Sequence, residues 1–197
     1  LRVQPIEYIT RSEAANQVDL FVMSMCPYGT LAEGSMKEVL AALPDLKLNI
    51  HFIASESGGN FSSLHGQPEV NEDLRQVCVM KYYPSKLMDY LTCINANYAS
   101  AETLWSGCAA QIGDTAGKIK SCSEGAEGKQ LLEQNIALAS ELDVGASPTF
   151  LANNKYIFSG SSAEEIKSSI CLANPGMRGC SQTLSNSTAA PSGACGT

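Results

Sequence analysis

One cysteine stands where reactive sulfur chemistry is most easily arranged. Cys26 follows Val18-Asp19-Leu20-Phe21-Val22-Met23-Ser24-Met25, a dense apolar, partly β-branched run that reads as a strand buried on both faces. After it, Tyr28, Leu31, Ala32, Met36, Val39, Leu40 and Leu43 recur with the period of one helical face. Cys26 therefore sits where a strand meets the first turn of a helix, beside unpaired N–H groups and the positive end of the helix dipole. That setting favours the thiolate, which is both the nucleophile and the redox-active form of cysteine. Pro27 presets the helical φ of the first turn, and Tyr28 and Gly29 complete the motif Cys-Pro-Tyr-Gly. The plainer reading makes Cys26 a small buried apolar residue. A second feature is Gly145-Ala146-Ser147-Pro148-Thr149-Phe150, in which a proline enters a strand, a position that often marks a tight and sometimes cis turn. The plainer reading of Pro148 is a routine loop proline.

The elements that must position these residues are legible around them. Pro44 stops the first helix, and Leu46-Lys47-Leu48-Asn49-Ile50-His51-Phe52 alternates as a half-buried strand. Ser55 to Asn60 is a Gly/Ser-rich linker, and the chain is then helical to about Leu142, with no convincing strand. A helix is expected from Pro68 to about Asn97, kinked or broken at Pro84, followed by helices near 102–112, 115–121 and 127–142. Strand pattern returns at Val144 to Leu151, turns at Asn153-Asn154, continues through Lys155 to Phe158, and gives way to a helix from Ser162 to Leu172. A short strand is possible at Val3 to Ile9. The expected organisation is an N-terminal extension (1–17), a split α/β domain (18–59 and 140–172) with a four-stranded core sheet, a helical insertion (60–139) and an irregular tail (173–197).

Composition narrows the function. The 197 residues carry 13 basic and 20 acidic side chains, a net charge of -7, with 44% apolar residues. No Lys/Arg cluster offers a surface that tracks phosphates, so nucleic acid is not an expected partner. No stretch has the roughly 18 apolar residues of a membrane helix. The eight cysteines (Cys26, Cys78, Cys93, Cys108, Cys122, Cys171, Cys180 and Cys195) lack the tight C-x2-C pairs of zinc sites, so disulfides are expected, with no metal and no cofactor. Stable disulfides imply an oxidising compartment, periplasmic or extracellular, reached by export with the signal peptide absent from this chain. Met23 and Met25 beside Cys26 could serve as soft copper(I) ligands, but residues i and i+2 on a strand point to one face, and core packing is the favoured reading. His65 reads as a turn residue and Trp105 as helix core, while Asn60-Phe61-Ser62 and Asn186-Ser187-Thr188 match the glycosylation pattern.

Strand-Cys-Pro-x-x-helix at one end of a split α/β domain, with Pro-Thr-strand-turn-strand-helix at the other, resembles the thioredoxin superfamily. The resemblance implies that Cys26 is the nucleophilic cysteine and that Ser147, Pro148 and Thr149 form the cis-proline loop bordering a substrate groove. The helical insertion is similar to that of bacterial disulfide-bond oxidoreductases of the DsbA type. Closer still is the gamma-interferon-inducible lysosomal thiol reductase family. The residues that carry that likeness are Leu64-His65-Gly66-Gln67-Pro68-Glu69, the spaced Cys78, Cys93, Cys108 and Cys122, and Cys122-Ser123-Glu124-Gly125-Ala126-Glu127-Gly128. Two features depart from that family: the cysteines around its Gln-His-Gly motif are missing, and its second active-site cysteine is Gly29.

Gly29 removes the usual resolving thiol, so a mixed disulfide on Cys26 would need glutathione, a second protein thiol or a distant cysteine to resolve it. Cys195, and less readily Cys180, can fill that role; Cys171 with Cys180 reads as a structural bridge closing a short loop. The insertion cysteines can pair as Cys93–Cys108 with Cys78–Cys122, or a corner at Gly113 can bring Cys108 to Cys122. The expected activity is monothiol exchange with a disulfide-containing protein or glutathione; the upstream thiol reductant is not identifiable. The alternatives are a redox-inactive peptide-binding module of the same fold and a copper(I) carrier.

Overall fold

A computed structural model describes residues 7–115, 117–186 and Cys195. Residues 3–6 of the possible first strand and most of the Asn186-Ser187-Thr188 pattern lie outside the described residues. The remaining chain forms a mixed sheet flanked by helices, with a helical block between its two halves.

The sheet has five strands rather than four, in the order β1-β7-β6-β2-β3. β2 (Gln17–Val22) runs parallel to β3 (Lys47–Phe52) and antiparallel to β6 (Thr149–Ala152); β7 (Tyr156–Phe158) pairs with β6. The fifth strand, β1 (Glu7–Tyr8), is two residues long and joins at the β7 edge. Val18, Leu20, Phe21 and Val22 are fully buried, as their unbroken apolar run requires of a central strand covered on both faces. β2 ends at Val22, three residues earlier than the apolar run suggests, because Met23 to Met25 turn the chain into the helix. Asn153 and Asn154 both take left-handed backbone angles (φ 52° and 60°) between β6 and β7, as asparagine tolerates.

α1 (Pro27–Ala42) buries Ala32, Met36 and Val39. Beyond β3, Ser55–Ser57 (β4) and Asn60–Ser62 (β5) form a small hairpin where a linker is expected. The long helix expected from Pro68 is two helices: α2 (Gln67–Tyr82), a 3-10 turn at Pro84–Lys86, and α3 (Leu87–Asn95). The proline has no N–H to continue the ladder, and the break folds α3 back over α1. α4 (Ala101–Gln111), α5 (Lys118–Ser123) and α6 (Ala126–Glu141) follow. Cys93 pairs with Cys108, and Cys78 with Cys122, so the alternative Cys108–Cys122 pairing is not formed.

α6 does more than cover the sheet. Asn135 Oδ1 accepts the Phe52 N–H (2.8 Å) and its Nδ2 donates to the Ile50 carbonyl (2.6 Å), which satisfies backbone groups on the open edge of β3. The last helix, α7 (Ala163–Ala173), begins with a capping box between Ser162 and Glu165. The described tail is fastened: Cys171 pairs with Cys180, the Leu184 N–H reaches Glu164 (2.6 Å) and the Ser185 N–H reaches Glu38 on α1 (2.9 Å).

Candidate functional site

Cys26 is the N-cap of α1. Its backbone is extended (φ −79°, ψ 125°), and its Sγ accepts the Gly29 N–H at 3.4 Å, one of the donors the first helical turn leaves free. Its N–H donates to the Met23 carbonyl (2.9 Å), closing the turn that follows β2. The Ser147–Pro148 peptide is cis, and the Ser147 carbonyl oxygen lies 3.6 Å from the Cys26 sulfur. The Ser147 hydroxyl accepts the Met23 N–H at 3.0 Å, so the loops from the two halves of the split domain are tied together beside the sulfur. Thr149 then opens β6, its hydroxyl donating to the Ala146 carbonyl (2.7 Å).

Cys26 is bonded to Cys195, with their Cα atoms 5.2 Å apart. Cys26 is fully buried and Cys195 half-buried. With all eight cysteines paired, Cys180 is committed to Cys171 and is not available as a resolving thiol. The Cys26 sulfur is likewise unavailable as a copper ligand in this state, and Met23 is packed in the core. Among the described residues, no three His, Cys, Asp or Glu side chains converge to hold a metal ion.

Gly29 is a close-approach glycine. A Cβ built there would lie 2.6 Å from Ser147 Oγ and 3.1 Å from the Met23 carbonyl oxygen. The space a second motif cysteine would occupy is filled by the serine that ties the two loops together.

Sequence reasoning missed a buried acidic layer beneath this turn. By sequence Glu69, Glu72 and Asp73 are helix-start residues whose acidic groups face the positive end of the dipole, yet each is at most 1% exposed, as is Glu33 of α1. Glu69 Oε1 accepts the Met25 N–H (2.8 Å) and contacts His65 Nδ1 (2.8 Å); its Oε2 accepts the His65 N–H (3.2 Å). Ser24 Oγ donates to Asp73 Oδ1 (2.5 Å). The residues just before Cys26 are therefore suspended from α2, and His65 belongs to that suspension. Glu72 takes hydrogen bonds from Gln76 (3.1 Å) and Arg75 (3.3 Å), while Arg75 also reaches Glu102 and stacks over Trp105, which is only partly buried. Burial pushes Glu33 up to about 7 against the hydrogen bond from Asn95, and drives Asp73 well above the ordinary carboxylate range. The signal was present: Glu69, Glu72, Asp73 and Gln76 recur at helical spacing, the period of a face rather than of a cap.

This geometry is similar to that of known proteins. Residues 17–112 match the family model of gamma interferon inducible lysosomal thiol reductase, GILT. The matched stretch runs from β2 to the end of α4 and includes Cys26, His65 and Glu69. No curated protein matches the chain in sequence. Among solved structures, the oxidoreductase NmDsbA1 from N. meningitidis superposes with a TM-score of 0.64 at 14% identity, covering 89% of this chain and 92% of that one. Oxidised BdbD from Bacillus subtilis gives 0.63 at 18% identity, covering 89% and 95%. A putative protein disulfide isomerase from Nitrosomonas europaea gives 0.62 at 10% identity, covering 84% and 100%. The fold is thioredoxin-like with a helical insertion, and the GILT match supports thiol–disulfide oxidoreductase function. Four disulfides point to an oxidising, non-cytoplasmic compartment. Among the described residues no helix is long and apolar enough to cross a membrane.

Proposed function

We propose that the chain exchanges disulfides through Cys26 and that Cys195, brought back from the C-terminal segment, is the resolving thiol. The observation that carries this reading is the Cys26–Cys195 bond at the N-terminus of α1, beside the cis Ser147–Pro148 loop. In the reducing direction the Cys26 thiolate attacks a substrate disulfide, forms a mixed disulfide and expels one substrate thiolate. The Cys195 thiolate then attacks Cys26 Sγ, forming the bond seen here and releasing the second substrate thiolate. Two electrons pass from the protein dithiol to the substrate disulfide, and the two protons end on the substrate thiols. An external thiol, glutathione or a protein dithiol, restores the reduced pair. The proposed substrates are protein disulfides, and the proposed setting is the periplasm or the extracellular space.

The Gly29 N–H pointing at the sulfur and the aligned dipole of α1 lower the cost of a thiolate once the bond opens. The deciding experiment compares wild type, Cys26→Ser and Cys195→Ser in reduction of a peptide disulfide by dithiothreitol. Wild type should turn over, Cys26→Ser should be inactive, and Cys195→Ser, reduced beforehand and mixed with the peptide disulfide after the dithiothreitol is removed, should accumulate a Cys26–substrate adduct visible by mass spectrometry. Absence of any Cys26 adduct in Cys195→Ser would replace this reading with that of a peptide-binding module.

A further inference from the structure

A groove of 640 Å³ opens beside the nucleophile, between α1 and α3. Pro27 stands at its active-site end, Leu31, Met88 and Leu91 give it apolar walls, and Glu33 and Asn95 lie in it. Glu33 is 1% exposed; its Oε2 accepts the Asn95 amide N–H at 2.6 Å. The other oxygen of each group, Glu33 Oε1 and Asn95 Oδ1, has no partner. With Glu33 ionised both are acceptors, and the notch then lacks a donor. A buried polar atom without a partner carries a desolvation cost, which a donor from a bound ligand removes.

The surrounding charge selects the kind of donor. Glu33, Glu69 and Glu72 are buried here beside Asp73, which burial holds protonated, against Arg75, whose guanidinium is held by Glu72 and Glu102, and the partly exposed His65. Lys37, the one cation lining the groove among the described residues, is on its exposed rim, hydrogen-bonded to Thr92 Oγ1 at 3.4 Å. A lysine or arginine side chain fits this site: its methylene stem lies on Leu91 and Met88, and its head carries several donors and no acceptor.

We infer that this groove binds the substrate polypeptide by a basic side chain about three residues from the reacting cysteine. The spacing follows from geometry. Glu33 is seven residues after Cys26, two helical turns and about 10 Å along α1. An extended peptide covers that distance in about three residues. The inference rests on Cys26 as the exchange centre, because it sets the register of the bound chain.

The test uses disulfide-linked peptides that differ only in arginine or its neutral isostere citrulline, three residues from the cysteine, with a second pair substituted one residue away. Reduction by the wild-type protein should favour arginine at the third position about tenfold or more in kcat/KM, as expected of a charge-assisted hydrogen bond. The pair at the first position should show no such preference. Glu33→Gln, which keeps the side-chain shape, should bring the third-position preference close to one, with circular dichroism confirming the fold. Equal rates for arginine and citrulline, or a preference that survives in Glu33→Gln, would overturn the basic-residue site while leaving disulfide exchange intact. No exchange with any peptide would overturn the exchange reading itself.

Discussion

Glu33→Gln should stabilise the protein at pH 8 and change little near pH 4. Burial raises the Glu33 carboxyl from 4.5 to about 7, so the folded state holds a proton that the unfolded chain has already released between those values. Where the folded state binds more protons, stability falls as pH rises. The contribution is complete below pH 4.5, drains away through pH 7, and stays absent above it. A shift of that size corresponds to about 3 kcal/mol for a buried group. Hydrogen bonding argues the same way: a proton on Glu33 Oε1 supplies the donor that this atom lacks, beside an amide whose own Oδ1 is unpaired. A glutamine amide places a permanent donor there. Urea unfolding with all disulfides intact, from pH 4 to 8, should show the wild type losing stability above pH 5, and Glu33→Gln should be flatter and up to about 3 kcal/mol more stable at pH 8. Asp73, also held protonated by burial, adds to the same slope. At Asp19 burial is outweighed by hydrogen bonds from His51, Gln17 and Asn49, so its carboxyl is lowered on balance and its contribution is lost only on acidification below its ordinary value. Stability should therefore peak near pH 5. A variant no more stable than wild type at pH 8, with the same pH slope, would refute the argument.

Glu69→Gln keeps the shape but weakens the acceptor that holds Met25 N–H and His65, so alkylation of Cys26 in the reduced protein should slow several-fold, as measured by iodoacetamide labelling and mass spectrometry. In a Cys195→Ser background, Gly29→Cys alone should form little disulfide between Cys26 and the introduced thiol, because the new Cβ would meet Ser147 Oγ at 2.6 Å; adding Ser147→Ala should let it form readily, as peptide mapping under non-reducing conditions would show. Removing the Cys93–Cys108 bridge by paired alanine substitution opens a loop of 15 residues and should lower stability by about 3 kcal/mol, read from urea denaturation.

What the sequence revealed and what it hid divide along a physical line. Elements written in short-range periodicity were legible: the unbroken apolar run of β2, the helical stripe of α1, the alternation of β3 and the asparagine turn before β7 all stand within a few residues of where the pattern placed them. Pro84 announced a break, though not that α3 would fold back on α1 and create the groove. The acidic layer was hidden because an acidic residue in a first helical turn has a sufficient local explanation in the helix dipole. Only the approach of α1, which carries Glu33 and the Cys26 turn, shows that Glu69 and Asp73 face inward. Gly29 was misleading in a related way. Read along the chain it is a missing thiol, whereas in space it makes room for Ser147, a residue 118 positions later that fastens the cis-proline loop to the turn before Cys26. In the proposed exchange, the thiol that the motif lacks comes instead from Cys195, the partner of Cys26 in the structure. The motif is thus completed in three dimensions by two distant residues: serine takes the space at position 29, and cysteine brings the sulfur to Cys26.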